Sequence, residues 1–148
     1  MSEWFFFATN DFNYSRSPAS YSRRSGCSRK PGRGALYSAA ERGKLARLSF
    51  LLALGQNPNR ADTYGITPLQ IAAWNNHCKI VQKLCKTKID VNIADRVGHT
   101  ALFKAVWRDC HDCIQILLRT GANCDHQDDS GNTALMLSAD FGFKDSLV

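Results

Sequence analysis

A short residue pattern recurs three times at a constant spacing in this chain of 148 residues. The best copy, residues 64–73, reads Tyr-Gly-Ile-Thr-Pro-Leu-Gln-Ile-Ala-Ala, and its glycine recurs every 33 residues as Gly65, Gly98 and Gly131. The threonine and leucine that follow keep the same spacing, and an aspartate precedes each copy: Asp62, Asp95 and Asp128. A fixed period of this length is typical of a solenoid whose units pack only on their neighbours. It predicts stacked helix pairs joined by β-turns.

Each residue of the pattern has a local role in this predicted fold. The glycine lies at the tip of the turn, where a positive φ costs glycine little. The threonine that follows (Thr67, Thr100 or Thr133) is placed to cap the first helix by accepting from a free backbone N–H. Pro68 suits the first helical position, because that N–H has no partner within the helix.

The pattern resembles that of the ankyrin repeat family, whose units read approximately DxxGxTPLHxAAxxGHxxVVxLLLxxGADVN. The resemblance covers residues 35–148 and is strongest over 62–135. It implies an all-α repeat solenoid of about three and a half stacked helix-turn-helix repeats with β-turn hairpin loops. The units are residues 35–61, 62–94, 95–127 and 128–148. No polar cap closes the incomplete last unit, so we expect a fragment of a longer array rather than a frayed end.

Residues 1–34 show no helical or strand period and are rich in serine, arginine, proline and glycine. Such a segment buries too little apolar surface to offset the entropy of ordering it, so we predict a disordered arm. The arm carries six bases and two acids, whereas the remaining residues carry 13 bases and 11 acids. An aromatic cluster at 4–7 is suited to docking on a partner, and a basic cluster at 23–30 is compatible with nuclear import.

The expected cell compartment follows from two signals that the sequence lacks. No apolar run approaches the roughly 20 residues that a membrane helix needs. The N-terminus does not match a secretory signal either, because Glu3 stands where positive charge is expected. We therefore expect an intracellular protein of the cytoplasm or nucleus, without membrane binding, whose six cysteines are free thiols.

The chain carries no motif of a catalytic site. It has no glycine-rich phosphate loop, no H-E-x-x-H and no G-x-S-x-G, and a solenoid offers no deep dry pocket. We therefore expect no enzyme activity and no cofactor. Cys110, His111 and Cys113 have the spacing of a zinc or redox site. The repeat places Cys113 at an inward aliphatic position, however, where a thiol packs as a small hydrophobe, so we expect no metal.

The resemblance implies a protein-binding surface. In ankyrin-like stacks, residues beside the hairpin glycine and after the Ala-Ala pair project onto the concave face. In this chain they are mostly of the aromatic, charged and amide types found at interfaces: Tyr64, Ile66, Trp74, Asn75, Arg96, His99, Trp107, Arg108, Asp129, Asn132 and Phe141. Trp74 and Trp107 stand one period apart, so we expect them on one face. Alternatively, both rings fold over their own helix pairs.

We therefore predict a protein–protein interaction scaffold or adaptor, a monomer or part of a larger chain, that binds a protein partner through its hairpin tips and concave face. The alternative is a nuclear or nucleic-acid-associated regulatory protein whose basic arm contacts phosphates. Deleting residues 1–34 would then abolish a salt-sensitive binding to nucleic acid. The resemblance also raises hydroxylation of Asn59 or Asn92 by a 2-oxoglutarate oxygenase. The simpler role of these asparagines is to satisfy backbone groups in turns.

Overall fold

The structure is a computed structural model that describes residues 33–140. The chain divides into two units, Met1–Lys30 and Pro31–Val148, and the described range belongs to the second. The predicted arm therefore lies outside the described residues, apart from Arg33 and Gly34. The end of the fourth repeat unit, with Phe141, also lies outside them.

Helices alternate between two layers along the described range. Their bounds are α1 Ala35–Glu41, α2 Leu45–Ala53, α3 Pro68–Trp74, α4 Cys78–Cys85, α5 Ala101–Trp107, α6 His111–Arg119 and α7 Ala134–Asp140. The first helices of the units (α1, α3, α5 and α7) pack on one another in that order, and the second helices (α2, α4 and α6) form the other layer. First helices start 33 residues apart, so the sequence period is the structural period. The predicted all-α solenoid is confirmed.

An aspartate organises each turn between units. Asp62 Oδ1 accepts hydrogen bonds from the backbone N–H groups of Tyr64 and Ile66, at 2.9 and 3.0 Å. Asp95 and Asp128 make the same pair of bonds to the residues two and four positions later. Gly65 at the tip has φ +79°, a left-handed conformation that glycine adopts readily. The spacing of aspartate and glycine in the sequence therefore reflects one turn, built three times.

The threonine caps differ between units. Thr67 forms a full capping box: its Oγ1 accepts from the Gln70 N–H at 3.3 Å, and Gln70 Oε1 accepts from the Thr67 N–H at 3.0 Å. Thr133 Oγ1 accepts from the Met136 N–H at 3.2 Å. Thr100 has the extended backbone of a cap but makes no side-chain cap bond, so that prediction was wrong. The residue three positions later there is Phe103, which has no group to return the second bond of a box.

The core lies between the two layers and continues from unit to unit. Ala72, Ala73 and Ala105 are fully buried, because small side chains let neighbouring helices approach closely. The inward positions of α4 and α6 are filled by Ile80, Val81, Leu84, Cys113, Ile114 and Leu117, and Cys113 was predicted there. Over the described residues, no helix has the length and apolar character needed to cross a bilayer.

Candidate protein-binding surface

The hairpin tips are linked to one another in a row. The Arg96 N–H donates to the Tyr64 carbonyl at 3.2 Å, and the Asp129 N–H donates to the Val97 carbonyl at 3.2 Å. Tyr64 is 61% exposed, and the side chains of Arg96 and Asp129 are also exposed. Three of the predicted contact residues therefore reach solvent from a backbone that is ordered by bonds between units.

Trp74 ends α3 and is covered on one side by Arg108 of the next unit. The guanidinium carbon of Arg108 lies 5.4 Å from the Trp74 ring centroid, and its Nε donates to the Trp74 carbonyl at 3.2 Å. A cation over an indole face is attracted by the ring quadrupole. Trp74 is half-buried and Arg108 is exposed, so the two side chains form one cation–π unit that bridges the second and third repeats.

Trp107 ends α5 and lies over two buried polar side chains of its own unit. The imidazole of His99 meets the Trp107 ring edge to face, with 4.6 Å between centroids. Lys104 Nζ lies 5.8 Å from the same ring centroid. Like Trp74, Trp107 is half-buried. Each indole therefore has neighbours within the stack and leaves part of its surface for other contacts.

His99 lies deeper than the other predicted contact residues for which the structure shows a position. It is 8% exposed, and its Nε2 is 3.5 Å from Asp128 Oδ2 while its Nδ1 is 3.8 Å from Asp95 Oδ2. Burial and the Lys104 ammonium lower the pKa of His99 below its ordinary value, and together they outweigh the two carboxylates, which raise it. His99 therefore supports the surface from beneath, as a neutral imidazole at neutral pH.

Acidification should destabilise the fold through His99. Because the pKa of His99 is lowered in the folded state, His99 takes up a proton at a higher pH in the unfolded chain than in the folded one. The stability that neutral His99 contributes is therefore complete above about pH 6.5 and is lost as the pH falls below it. We expect the melting temperature to decrease between about pH 7.5 and pH 5.5, and the decrease to be smaller in His99→Gln, as measured by circular dichroism. Equal pH dependence in both proteins would contradict the assignment. His111→Gln, at an exposed position, is the control.

Lys104 is part of this surface and was missed from the sequence. Its Nζ lies 2.7 Å from Asp95 Oδ2, and the residue is only 6% exposed. A signal was present, because Lys104 stands one period from Ile71 and from Leu137, at a position where the first helix carries an aliphatic residue. A charge at an apolar register position needs a partner. The aspartate that organises the turn, Asp95, is that partner.

Three further predicted contact residues take part in the scaffold. Asn75 Nδ2 donates to the Glu41 carbonyl of the preceding unit at 3.2 Å. Ile66 is half-buried against the core. The Asn132 N–H donates to Asp128 Oδ1 at 2.8 Å. These residues join units or close turns, and only their remaining surface is available to a partner.

The cysteine and histidine candidates for a metal site are not gathered together. Cys110 and Cys113 are buried, whereas His111 is exposed with its Nδ1 3.4 Å from Asp109 Oδ1. In the part of the chain that the structure describes, no three histidine, cysteine or acidic side chains are arranged to hold a metal ion. His77 contacts the neighbouring turn, with its Nε2 3.2 Å from the Glu41 carbonyl oxygen.

The turn asparagines connect successive units. Asn59 Oδ1 accepts from the Asp90 N–H at 3.0 Å, and Asn92 Oδ1 accepts from the Asn123 N–H at 2.8 Å. Asn92 Nδ2 also donates to the Gly121 carbonyl at 3.3 Å. Both amides satisfy backbone groups of the next turn, which is the simpler role expected of them, and hydroxylation stays an untested alternative.

Comparison with known proteins agrees with this architecture. A family model described as ankyrin repeats, in three copies, matches residues 19–95 and 88–147. Among curated proteins, the chain is similar to the ARF GTPase-activating protein Git of Drosophila melanogaster, with 38% identity over 56 residues. The aligned segment is 38% of this chain and 8% of that protein, so the chain spans only a small part of the relative's length.

Proposed function

Because this chain belongs to the ankyrin repeat family, we propose that it is a non-enzymatic scaffold or adaptor that binds a partner protein through its hairpin tips and concave face. Ankyrin repeats in general mediate protein–protein interaction. Two observations support the proposal: the exposed row of Tyr64, Arg96 and Asp129 at the hairpin tips, and the partly exposed Trp74–Arg108 pair.

The tips are preorganised for binding. Asp62 and Asp95 each hold two backbone N–H groups of a turn, and backbone bonds link each tip to the next. A surface that is already ordered loses little conformational entropy on association, so more of the contact energy appears as affinity. A row of rigid turns with variable side chains is therefore suited to recognising a folded protein or an extended segment.

The side chains of the surface match those that contribute most at interfaces. Tyrosine, tryptophan and arginine are the residues most often found at binding hot spots. Arg96 and Arg108 both lie in the third unit, whereas Asp129 lies in the turn that opens the fourth, so charge changes sign along the row. Such an alternation orients a partner and increases the rate of encounter more than it increases affinity.

Replacing the aromatic side chains should abolish partner capture. In affinity capture from cell extract with the full chain as bait, we expect Trp74→Ala/Trp107→Ala to lose the specifically retained protein and Tyr64→Ala to weaken its retention. Hot-spot truncations cost about 2 kcal/mol or more, a loss of roughly 30-fold in affinity. Far-UV circular dichroism should stay unchanged for Tyr64→Ala, since that ring is mostly exposed.

A matched control is available on the opposite layer. Phe50 lies on α2 and is 63% exposed, so Phe50→Ala removes an exposed aromatic ring that is away from the tips. Capture should survive in Phe50→Ala. Retention of the partner by the folded tryptophan double variant, or its loss in Phe50→Ala alone, would overturn the proposal that the tips and concave face bind it.

A further inference from the structure

A group of three thiols lies where the second and third repeat units meet. Cys78 opens α4 and Cys113 lies in the first turn of α6, and their Sγ atoms are 3.2 Å apart. Cys110 directly precedes α6, and its thiol donates to the Arg108 carbonyl at 3.5 Å. Because α4 and α6 are neighbours in the second layer, the Cys78–Cys113 contact lies between two repeat units.

One amide side chain holds the two sulfurs together. Asn76 Oδ1 accepts from the Cys78 thiol at 3.2 Å and lies 3.7 Å from the Cys113 thiol. Asn76 has φ +57°, a left-handed conformation that asparagine tolerates better than most residues. The turn between α3 and α4 thus directs an acceptor at both thiols at once.

The two thiols differ in access to solvent. Cys113 is fully buried, whereas Cys78 is half-buried and lines a shallow surface groove with Lys79, Asp112 and Arg119. A small oxidant therefore reaches the sulfur of Cys78 first. The sulfur of Cys113 stands behind it at contact distance, which is the arrangement of an attacked thiol and a resolving thiol.

We propose that Cys78 and Cys113 are a site of reversible oxidation, at which hydrogen peroxide converts the two thiols into a disulfide that joins the second and third repeat units. This inference is independent of the binding function proposed above. A thiol pair in a reducing compartment is normally kept reduced, so the disulfide would form only when peroxide is present.

The chemistry balances over two steps. The thiolate of Cys78 attacks one peroxide oxygen, an S–O bond forms, the O–O bond breaks, and the leaving hydroxide takes up the proton that Cys78 released. The sulfur of Cys113 then attacks the sulfenic sulfur of Cys78, the S–S bond forms, the S–O bond breaks, and hydroxide leaves with the Cys113 proton as water. The two thiols lose two electrons, and the peroxide becomes two water molecules. A dithiol reductant reverses the reaction by thiol–disulfide exchange.

Mass spectrometry of the full chain tests the proposal. The protein is treated with equimolar hydrogen peroxide, the remaining thiols are blocked with iodoacetamide, and the product is digested with trypsin without reduction. Cys78 then lies in peptide 61–79, and Cys110 and Cys113 share peptide 109–119. We expect these two peptides to be linked, with Cys110 alkylated, at a mass about 2 Da below the sum of reduced peptide 61–79 and singly alkylated peptide 109–119.

Variants assign the linkage to its two sulfurs. The link should persist in Cys110→Ala and in the control Cys124→Ser, and it should be absent from Cys78→Ser and from Cys113→Ala. Oxidation should raise the melting temperature of the wild-type protein by about 5–15 °C, because the bond constrains the unfolded chain. Cys78→Ser is expected to fold, since Cys78 is only half-buried, and its melting temperature should not respond to peroxide.

Three results would overturn the proposal. The first is a disulfide within peptide 109–119, which would show that Cys110 pairs with Cys113 instead. The second is a link between the peptides that disappears in Cys110→Ala, which would assign it to Cys78 and Cys110. The third is oxidation of Cys78 to sulfinic acid without any link, which would show that Cys113 does not resolve the first product.

Discussion

We expect Lys104→Ala to lower the free energy of unfolding by about 3 kcal/mol, because it removes the partner of a buried carboxylate. Lys104 Nζ lies 2.7 Å from Asp95 Oδ2, and the residue is only 6% exposed. The two backbone bonds that Asp95 accepts through Oδ1 remain, but its other oxygen loses its cation inside the stack. Urea denaturation of the purified full chain measures the change.

Two comparisons separate this ion pair from packing and from general charge effects. Lys83→Ala removes an exposed lysine from α4 and should change stability by less than about 0.5 kcal/mol. Combining Lys104→Met with Asp95→Asn keeps the volumes of the side chains and removes both charges, so the double variant should be more stable than Lys104→Met alone. Equal losses for Lys104→Ala and Lys83→Ala would show that the buried pair has no net role.

Gly98→Ala is expected to lower the free energy of unfolding by a similar amount, about 3 kcal/mol, because two independent costs add. Gly98 has φ +83°, and a left-handed conformation costs a residue with a Cβ about 1–2 kcal/mol. A Cβ at this position would also lie 2.8 Å from Asp128 Cα and 2.9 Å from the Asp129 nitrogen, which are backbone atoms of the next tip. Relieving that clash would weaken the bond from the Asp129 N–H to the Val97 carbonyl.

The other turn glycines make a graded series. Gly131 has φ +81°, but no atom of residues 33–140 lies within 4 Å of its added Cβ, so Gly131→Ala should cost only the conformational part, about 1–2 kcal/mol. Gly65 is intermediate, since its Cβ would lie 3.1 Å from the Arg96 nitrogen. The denaturant midpoint should therefore be highest for Gly131→Ala, intermediate for Gly65→Ala and lowest for Gly98→Ala. An equal loss at Gly98 and Gly131 would mean that close contact between tips does not contribute.

Much of the turn and helix geometry was predictable because it is local. Asp62, Gly65 and Thr67 act within five residues of one another, so their spacing in the sequence is also their spacing in the turn. The same period then predicted where each helix begins and which of its residues face inward. The prediction failed at Thr100, which has the extended backbone of a helix cap but makes no side-chain cap bond.

The surface was predictable only in part. Tyr64 and Arg96 are exposed at the tips, as their position beside the glycine predicts. His99, which follows its glycine as Ile66 and Asn132 follow theirs, is drawn inward between Asp95 and Asp128, and Trp107 lies over it. Which way a side chain turns at such a position depends on charges supplied by the next unit, and a repeat pattern does not contain that information.

The sequence by itself determined the kind of object this chain forms: a stack of helix pairs with a turn every 33 residues, as Gly65, Gly98 and Gly131 require. Only the tertiary structure determined which side chains of neighbouring units contact each other. It placed Arg108 over the ring of Trp74, and Cys78 against Cys113. The physical reason is that a period sets backbone positions, whereas contacts between units depend on side-chain rotamers chosen in the packed stack.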